Sequence, residues 1–244
     1  MPTITGENGR LGNQIFRNLA VSLISEKFNL CVNYSSYNLI EQLGINLFIG
    51  ENNYDNTISL TDDNFFSVFQ DTSLNSNVNA NNNYFQTKEI SNLLYNYLHS
   101  NKIKENIINK NPFNCRYNNN DDLFIHIRLT DVANKNPGIA YYLKTISNIQ
   151  FKELYISSDD IDNIIIKQII DKYPKVILLH YDEITTFQFS STCKNIILSH
   201  GTFSAIIGYL SFFSNIYYSE YDTNKIWYGD IFTIDGWNKT SISD

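Results

Sequence analysis

Three short stretches in the second half of this 244-residue chain end in side chains of the types able to hold phosphate or move protons. They are His126-Ile127-Arg128-Leu129-Thr130-Asp131, Ser157-Ser158-Asp159-Asp160 and Ser199-His200-Gly201-Thr202-Phe203-Ser204. An arginine stays charged at any physiological pH and its planar fork matches paired phosphate oxygens, so Arg128 is the leading candidate for an anionic ligand such as a diphosphate. In the third stretch a glycine turn opens a helix, so hydroxyls and unpaired N–H groups point at whatever sits there. A fourth stretch, Gly6-Glu7-Asn8-Gly9-Arg10-Leu11-Gly12-Asn13-Gln14, places three glycines before a helical pattern, a loop that brings backbone close to a ligand, with Asn13 as the expected N-cap. Each stretch also has an ordinary reading. Arg128 and Asp131 suit an ion pair closing a loop, and Asp159, Asp160, Thr202 and Ser204 suit helix caps. Asp160-Ile161-Asp162 has the D-x-D spacing of a cation pair, but acidic residues are favoured in a first helical turn anyway, so no metal is expected.

The elements that must position these groups follow from hydrophobic periodicity. Residues 123–129 read as a strand covered on both faces, with His126, Arg128 and Asp131 at its carboxyl end, where open α/β sheets bind ligands. After it, strands expected at 154–157, 176–180, 196–199 and 216–218 alternate with helices at 137–147, from 161, 182–192 and 202–213, with Pro137 in a first turn. That alternation predicts a parallel sheet with helices on both faces. In the first half, a β-prone opening at 2–5 precedes the glycine loop, and Ile15, Phe16, Leu19, Leu23, Ile24 and Phe28 form one helical stripe. A strand is expected at 30–34, a helical turn at 38–43, irregular structure with one weakly packed element over 52–83, a mobile loop at 75–83 and a helix over 88–109. Residues 112–120 read as the linker. The predicted organisation is α/β, an N-terminal domain over 1–118 and a C-terminal Rossmann-like domain over 119–244, facing one another across a cleft. The tail with Lys225, Trp227, Tyr228 and Trp237 is expected to return to the first domain.

Composition excludes several classes. Hydrophobic residues make up 43% and charged residues 18%, which fits a folded protein rather than a disordered one. A net charge of −7 gives no overall basic footprint, so nucleic acid is not an expected partner. Cys31, Cys115 and Cys193 are odd in number and widely spaced, which suggests neither a disulfide framework nor a zinc site and points to a reducing compartment. No signal-peptide pattern and no membrane-length apolar run is present, so a soluble, cytoplasmic protein is expected, and the Asn-x-Ser/Thr triplets at Asn33 and Asn238 carry no weight.

Four motifs resemble one family. Gly9-Arg10-Leu11-Gly12-Asn13-Gln14-Ile15-Phe16 is similar to the G-G-L-G-N-Q-M-F signature of the alpha-1,2-fucosyltransferases and the G-R-F-G-N-Q variant of the protein O-fucosyltransferases. His126 to Asp131 resembles their H-x-R-R-G-D element, Tyr155 to Asp160 their F-S-D-D strand end, and Ser199 to Ser204 the start of S-x-S-T-F-S-W-W. The resemblance implies a fold of the GT-B glycosyltransferase type and inverting, metal-independent transfer of fucose from GDP-fucose to a glycan hydroxyl, with no cofactor. By position, Arg128 would hold the donor diphosphate and stabilise the charge that grows as GDP leaves. Gly9, Arg10, Gly12 and Asn13 would approach the donor from the other domain, Ser157, Asp159, Asp160, Ser199, His200, Thr202, Phe203 and Ser204 would complete the donor site, and His126 and Asp131 would join Arg128 at the reacting centre. Leu129 and Thr130 replace the second Arg and the Gly of the pattern, and Ala205 and Ile206 replace the paired Trp. Another nucleotide sugar therefore remains open as donor, as does a glycan- or nucleotide-binding protein without catalysis. Asp131, Glu7 and His126 are the candidates for a general base, and the sequence does not choose among them.

Overall fold

The computed structural model describes residues 2–131, 133–223, 226 and 229–241. The described residues form two units, one of residues up to Ile107 together with Gly229–Ile231, the other running from Ile108 onward without that excursion. The division falls near residue 107, earlier than the expected linker. Lys225, Trp227 and Tyr228 of the tail lie outside the described residues.

The first unit is built from β1 (Thr3–Ile4), α1 (Leu11–Phe28), β2 (Val32–Asn33), α2 (Tyr37–Gln42), β3 (Thr57–Ser59), α3 (Phe65–Gln70), β4 (Asn77–Asn79), α4 (Lys88–Leu98) and α5 (Asn101–Lys110), whose residues from Ile108 on are counted with the second unit. Its strands form one parallel sheet in the order β2-β1-β4-β3. The apolar stripe of α1 is buried as its spacing requires, with Ile15, Phe16, Leu19 and Ile24 at most 1% exposed. Three expectations are corrected here. Residues 75–83 are not a mobile loop, because β4 lies between β1 and β3 with Val78 fully buried. Asn77 is fixed there by side-chain hydrogen bonds with the backbone of Tyr54. The helical pattern of 88–109 is two helices, interrupted where the Ser100 hydroxyl donates to the Tyr97 carbonyl at 2.7 Å. Asn13 is not an N-cap, since α1 starts at Leu11 with Arg10 in the cap position.

The second unit contains β5 (Leu123–Ile127), α6 (Ile139–Ser147), β6 (Leu154–Ser158), α7 (Ile164–Lys172), β7 (Ile177–Leu178), α8 (Glu183–Ser190), β8 (Asn195–Ile197), α9 (Thr202–Tyr209), β9 (Asn215–Ser219) and β10 (Asn238–Thr240). All six strands are parallel, in the order β10-β9-β8-β5-β6-β7. The expected five strands gain a sixth, because the end of the tail pairs with β9, and Trp237 lies against Gly208 and the Tyr209 ring. Counted from β5, this is the doubly wound order 3-2-1-4-5-6 of the Rossmann arrangement.

Alternation along β5 sets the layers. Leu123, Ile125 and Ile127 pack with Tyr141, Tyr142, Ile146, Ile166 and Ile169 of α6 and α7, while the His126 ring meets Phe203 of α9, which stacks on Phe187 of α8. The expected linker is not a loose segment. It contains a 3-10 turn at Asn114–Arg116, and Arg116 donates to Asp122 at 2.8 Å and Thr192 at 3.0 Å. No helix among the described residues is long and apolar enough to cross a membrane.

Candidate functional site

In a doubly wound sheet the chain leaves its first strand in one direction, then returns to lie on that strand's other side, and the two departing loops open a crevice at the carboxyl ends. In the second unit this switch point lies between β5, which continues into Arg128, and β8, which continues into Ser199. The two loops are tied together. The Arg128 N–H donates to Ser199 Oγ at 3.3 Å, and Asn136 Nδ2 donates to the Arg128 carbonyl at 3.0 Å and lies 3.4 Å from Ser199 Oγ. Tyr142 OH, itself 3.0 Å from Asn136 Nδ2, donates to Ser199 Oγ at 3.2 Å. Ser199 is therefore a brace of the crevice wall, and Asn136 and Tyr142 are supporting residues that motif reading missed.

Arg128 and Asp131 do form the ion pair that closes the loop. Nη2 donates to Oδ1 and Oδ2 at 2.9 and 2.8 Å, and Nε to Oδ1 at 3.2 Å. The side chain of Arg128 is 14% exposed, and Nη1 makes no hydrogen bond among the described residues. Asp131 thus fixes one edge of the guanidinium and leaves the other for a ligand, so the ordinary reading and the functional one hold together.

Asp159 serves the same loop. Its carboxylate accepts from Leu129 N at 2.6 Å, Thr130 Oγ1 at 2.6 Å and Thr130 N at 3.4 Å. Burial alone would raise its pKa, but these hydrogen bonds outweigh that and hold it below the usual carboxylate value. Asp159 is a loop anchor rather than a cap. α7 starts later, capped by Asn163, whose Oδ1 accepts from Ile165 N, while Asp160 accepts from Asn163 Nδ2 at 3.1 Å. Ser157 pairs in register with His126 across β6 and β5 and is half-buried.

The turn after β8 carries the rest. Gly201 has φ +97°, a conformation that favours glycine, and occupies the N-cap position of α9 with no side-chain cap, so Thr202 and Ser204 do not cap it. Thr202 is 8% exposed in the first turn of α9. Ser204 is fully buried and its Oγ lies 2.6 Å from His126 Nδ1, while Nε2 of His126 makes no hydrogen bond among the described residues. Burial pushes the imidazole down to about 4, so His126 is neutral at pH 7. His200 is a structural link, with Nδ1 2.8 Å from the Lys135 carbonyl and Nε2 2.5 Å from Ser219 Oγ. Among the described residues no group of three His, Cys, Asp or Glu side chains is placed to hold a metal ion.

In the first unit, Gly9 and Arg10 are exposed, Gly12 is buried within α1, and Asn13 Oδ1 accepts from Gln86 Nε2 at 2.9 Å. Two hollows of about 290 and 610 Å³ open at the amino ends of the second sheet, lined among others by Phe151, Tyr173, Asn195 and Asn215. They lie at the strand ends opposite Arg128, whereas the charged and hydroxyl groups converge at the switch point.

No family model, no curated protein and no solved structure matches this chain.

Proposed function

We propose that the chain is an inverting, metal-independent glycosyltransferase of the GT-B type, moving fucose from GDP-fucose to a glycan hydroxyl. The observation that supports this best is Arg128, standing at the switch point with one guanidinium edge fixed by Asp131 and Nη1 open. A diphosphate leaving group gains negative charge as the bond from the anomeric carbon to oxygen breaks, and a guanidinium already held in place stabilises that charge without first reorganising. The N–H groups that open α9 behind Gly201, with the Thr202 hydroxyl, offer further donors to phosphate oxygens. His126, neutral at pH 7, offers one hydrogen bond through Nε2 without adding a charge. The acceptor hydroxyl attacks the face opposite the departing phosphate, which inverts the anomeric centre.

Leu129 favours a second donor. Where the family pattern has another arginine, this side chain is 3% exposed and packed in the core with Ile127 and Tyr142. The donor pocket accordingly has one guanidinium fewer, and a nucleotide sugar other than GDP-fucose would meet less positive charge there.

Thermal unfolding in EDTA tests the reading. GDP is expected to raise the melting temperature of the wild type by several degrees and that of Arg128→Ala not at all. Assay of free nucleotide release across GDP-, UDP- and dTDP-sugars identifies the donor. No shift with any of these nucleotides overturns the proposal.

A further inference from the structure

The first sheet has a switch point of its own. The chain passes from β1 to β2 on one side, crosses to β3 at the far edge, and returns through β4 to the other side of β1. The crevice outside the carboxyl ends of β1 and β4 is bordered by the Gly6 to Arg10 loop and by residues 80 to 86.

These borders are built, not loose. Gly6 has φ +70° and a Cβ there would stand 1.8 Å from Asn81 Oδ1, so the two loops touch where only glycine fits. Arg17 of α1 lies beneath them, fully buried, donating through Nε to the Asn83 carbonyl at 2.9 Å and through Nη1 to the Gly6 carbonyl at 3.2 Å. No carboxylate pairs with it among the described residues, and its Nη2 is buried without a hydrogen bond. Its cover is the Tyr84 ring, 5.1 Å from the guanidinium carbon to the ring centroid. Tyr84 is nevertheless 38% exposed, so the side chain that covers the cation also meets solvent. The ring edge abuts the Gly9 turn, where a Cβ would lie 3.1 Å from Tyr84 Cε1.

Unused hydrogen-bonding atoms lie in the loop and the helix start that border this crevice. Asn8 Nδ2 donates to the Asn81 carbonyl at 3.3 Å, which leaves its Oδ1 as an acceptor. Asn13 receives its bond from Gln86 through Oδ1, and its Nδ2, close to Gly9, is left as a donor. An exposed aromatic ring in a crevice whose borders carry an amide acceptor and an amide donor matches a pyranose, which offers a C–H face and hydroxyls that both give and take hydrogen bonds. A buried cation behind the ring disfavours a second cation in front, so the occupant is a neutral or acidic sugar, not a free amino sugar.

We infer that the outer face of Tyr84 is a stacking platform for a pyranose ring, which, resting on the transferase reading above, belongs to the acceptor glycan. The competing role for Tyr84 is as a mere lid over Arg17. Tyr84→Phe keeps lid and platform, and Tyr84→Met keeps an apolar lid without the flat ring. Saturation-transfer NMR on the full chain with lactose, methyl β-D-galactopyranoside and methyl β-D-glucopyranoside is expected to show transfer to ring protons in the wild type and in Tyr84→Phe. In Tyr84→Met that transfer should be lost. In turnover with an accepted glycan, KM for the acceptor should rise about tenfold in Tyr84→Met with kcat nearly unchanged, and the GDP-induced melting shift should be the same in all three proteins. Because the NMR arm needs no donor, sugar binding without any nucleotide shift sinks the transferase reading and leaves the platform standing. Equal sugar binding by Tyr84→Met and wild type, or no saturation transfer with any of the three sugars, overturns the inference.

Discussion

His126 makes the second unit sensitive to acid in a way that can be calculated. Its imidazole is buried on β5 between Ser204 and the Phe203 ring, and burial lowers its pKa from 6.5 to about 4. The unfolded chain takes up a proton at pH values where the folded chain does not, so the stabilisation is full above pH 6.5 and is lost as pH falls from 6.5 to 4. With those two values, stability between pH 7 and pH 5 falls by about 2 kcal/mol from this residue alone. The control is His126→Phe with Ser204→Ala, which places a ring beside Phe203 and removes the hydroxyl that would otherwise be left buried without a partner. Urea unfolding, followed by Trp237 fluorescence in a Trp227→Phe background, is compared at the two pH values. Titrating groups that do not interact with His126 contribute equally to both proteins, so the difference of differences reports His126 together with its coupling to Asp159. The wild type should lose about 2 kcal/mol more than the double variant on going to pH 5. Equal losses would mean that the imidazole protonates freely in the folded protein, and the account of a neutral, buried His126 at the site would be wrong.

Asp159 and β4 give two further tests. Asp159→Asn turns an amide N–H₂ toward groups that already donate, so the unliganded protein should lose about 1 kcal/mol of stability and the loop carrying Arg128 should be less well held. GDP binding by calorimetry should weaken roughly fivefold, and unchanged affinity would show that the loop needs no anchor. Asn77→Ala removes the hydrogen bonds of a fully buried side chain from a central strand of the first sheet, at a cost of about 1 to 3 kcal/mol by urea unfolding. A mobile loop would tolerate the change without measurable loss.

What could be read from the sequence was whatever repeats locally. The stripe of α1 and the apolar run of β5 are dense enough for their neighbours in the chain to determine them, and both elements lie where periodicity put them. Asn77-Val78-Asn79 has one apolar residue and no period. It is a strand because β1 and β3 supply hydrogen bonds from both sides and because Tyr54, distant in sequence, satisfies Asn77. That information is not local, so pattern reading misses it. The same limit applied at the site. Polar residues at strand ends marked the neighbourhood of the switch point, but Ser199, Asp159 and His200 look identical in type to ligand contacts and are engaged by the protein itself. Asn136, which joins the two loops, precedes Pro137 and Gly138, and that turn chemistry was the available signal for it. Residue type says which groups are able to meet a ligand; which atoms remain open is decided by distances of 2.5 to 3.4 Å to partners up to 78 residues away. Arg128 Nη1 and His126 Nε2 are open on that criterion and the Asp159 carboxylate is not. A donor analogue should therefore respond to substitution at the first two through direct contact, and at Asp159 only through the position of the loop it holds.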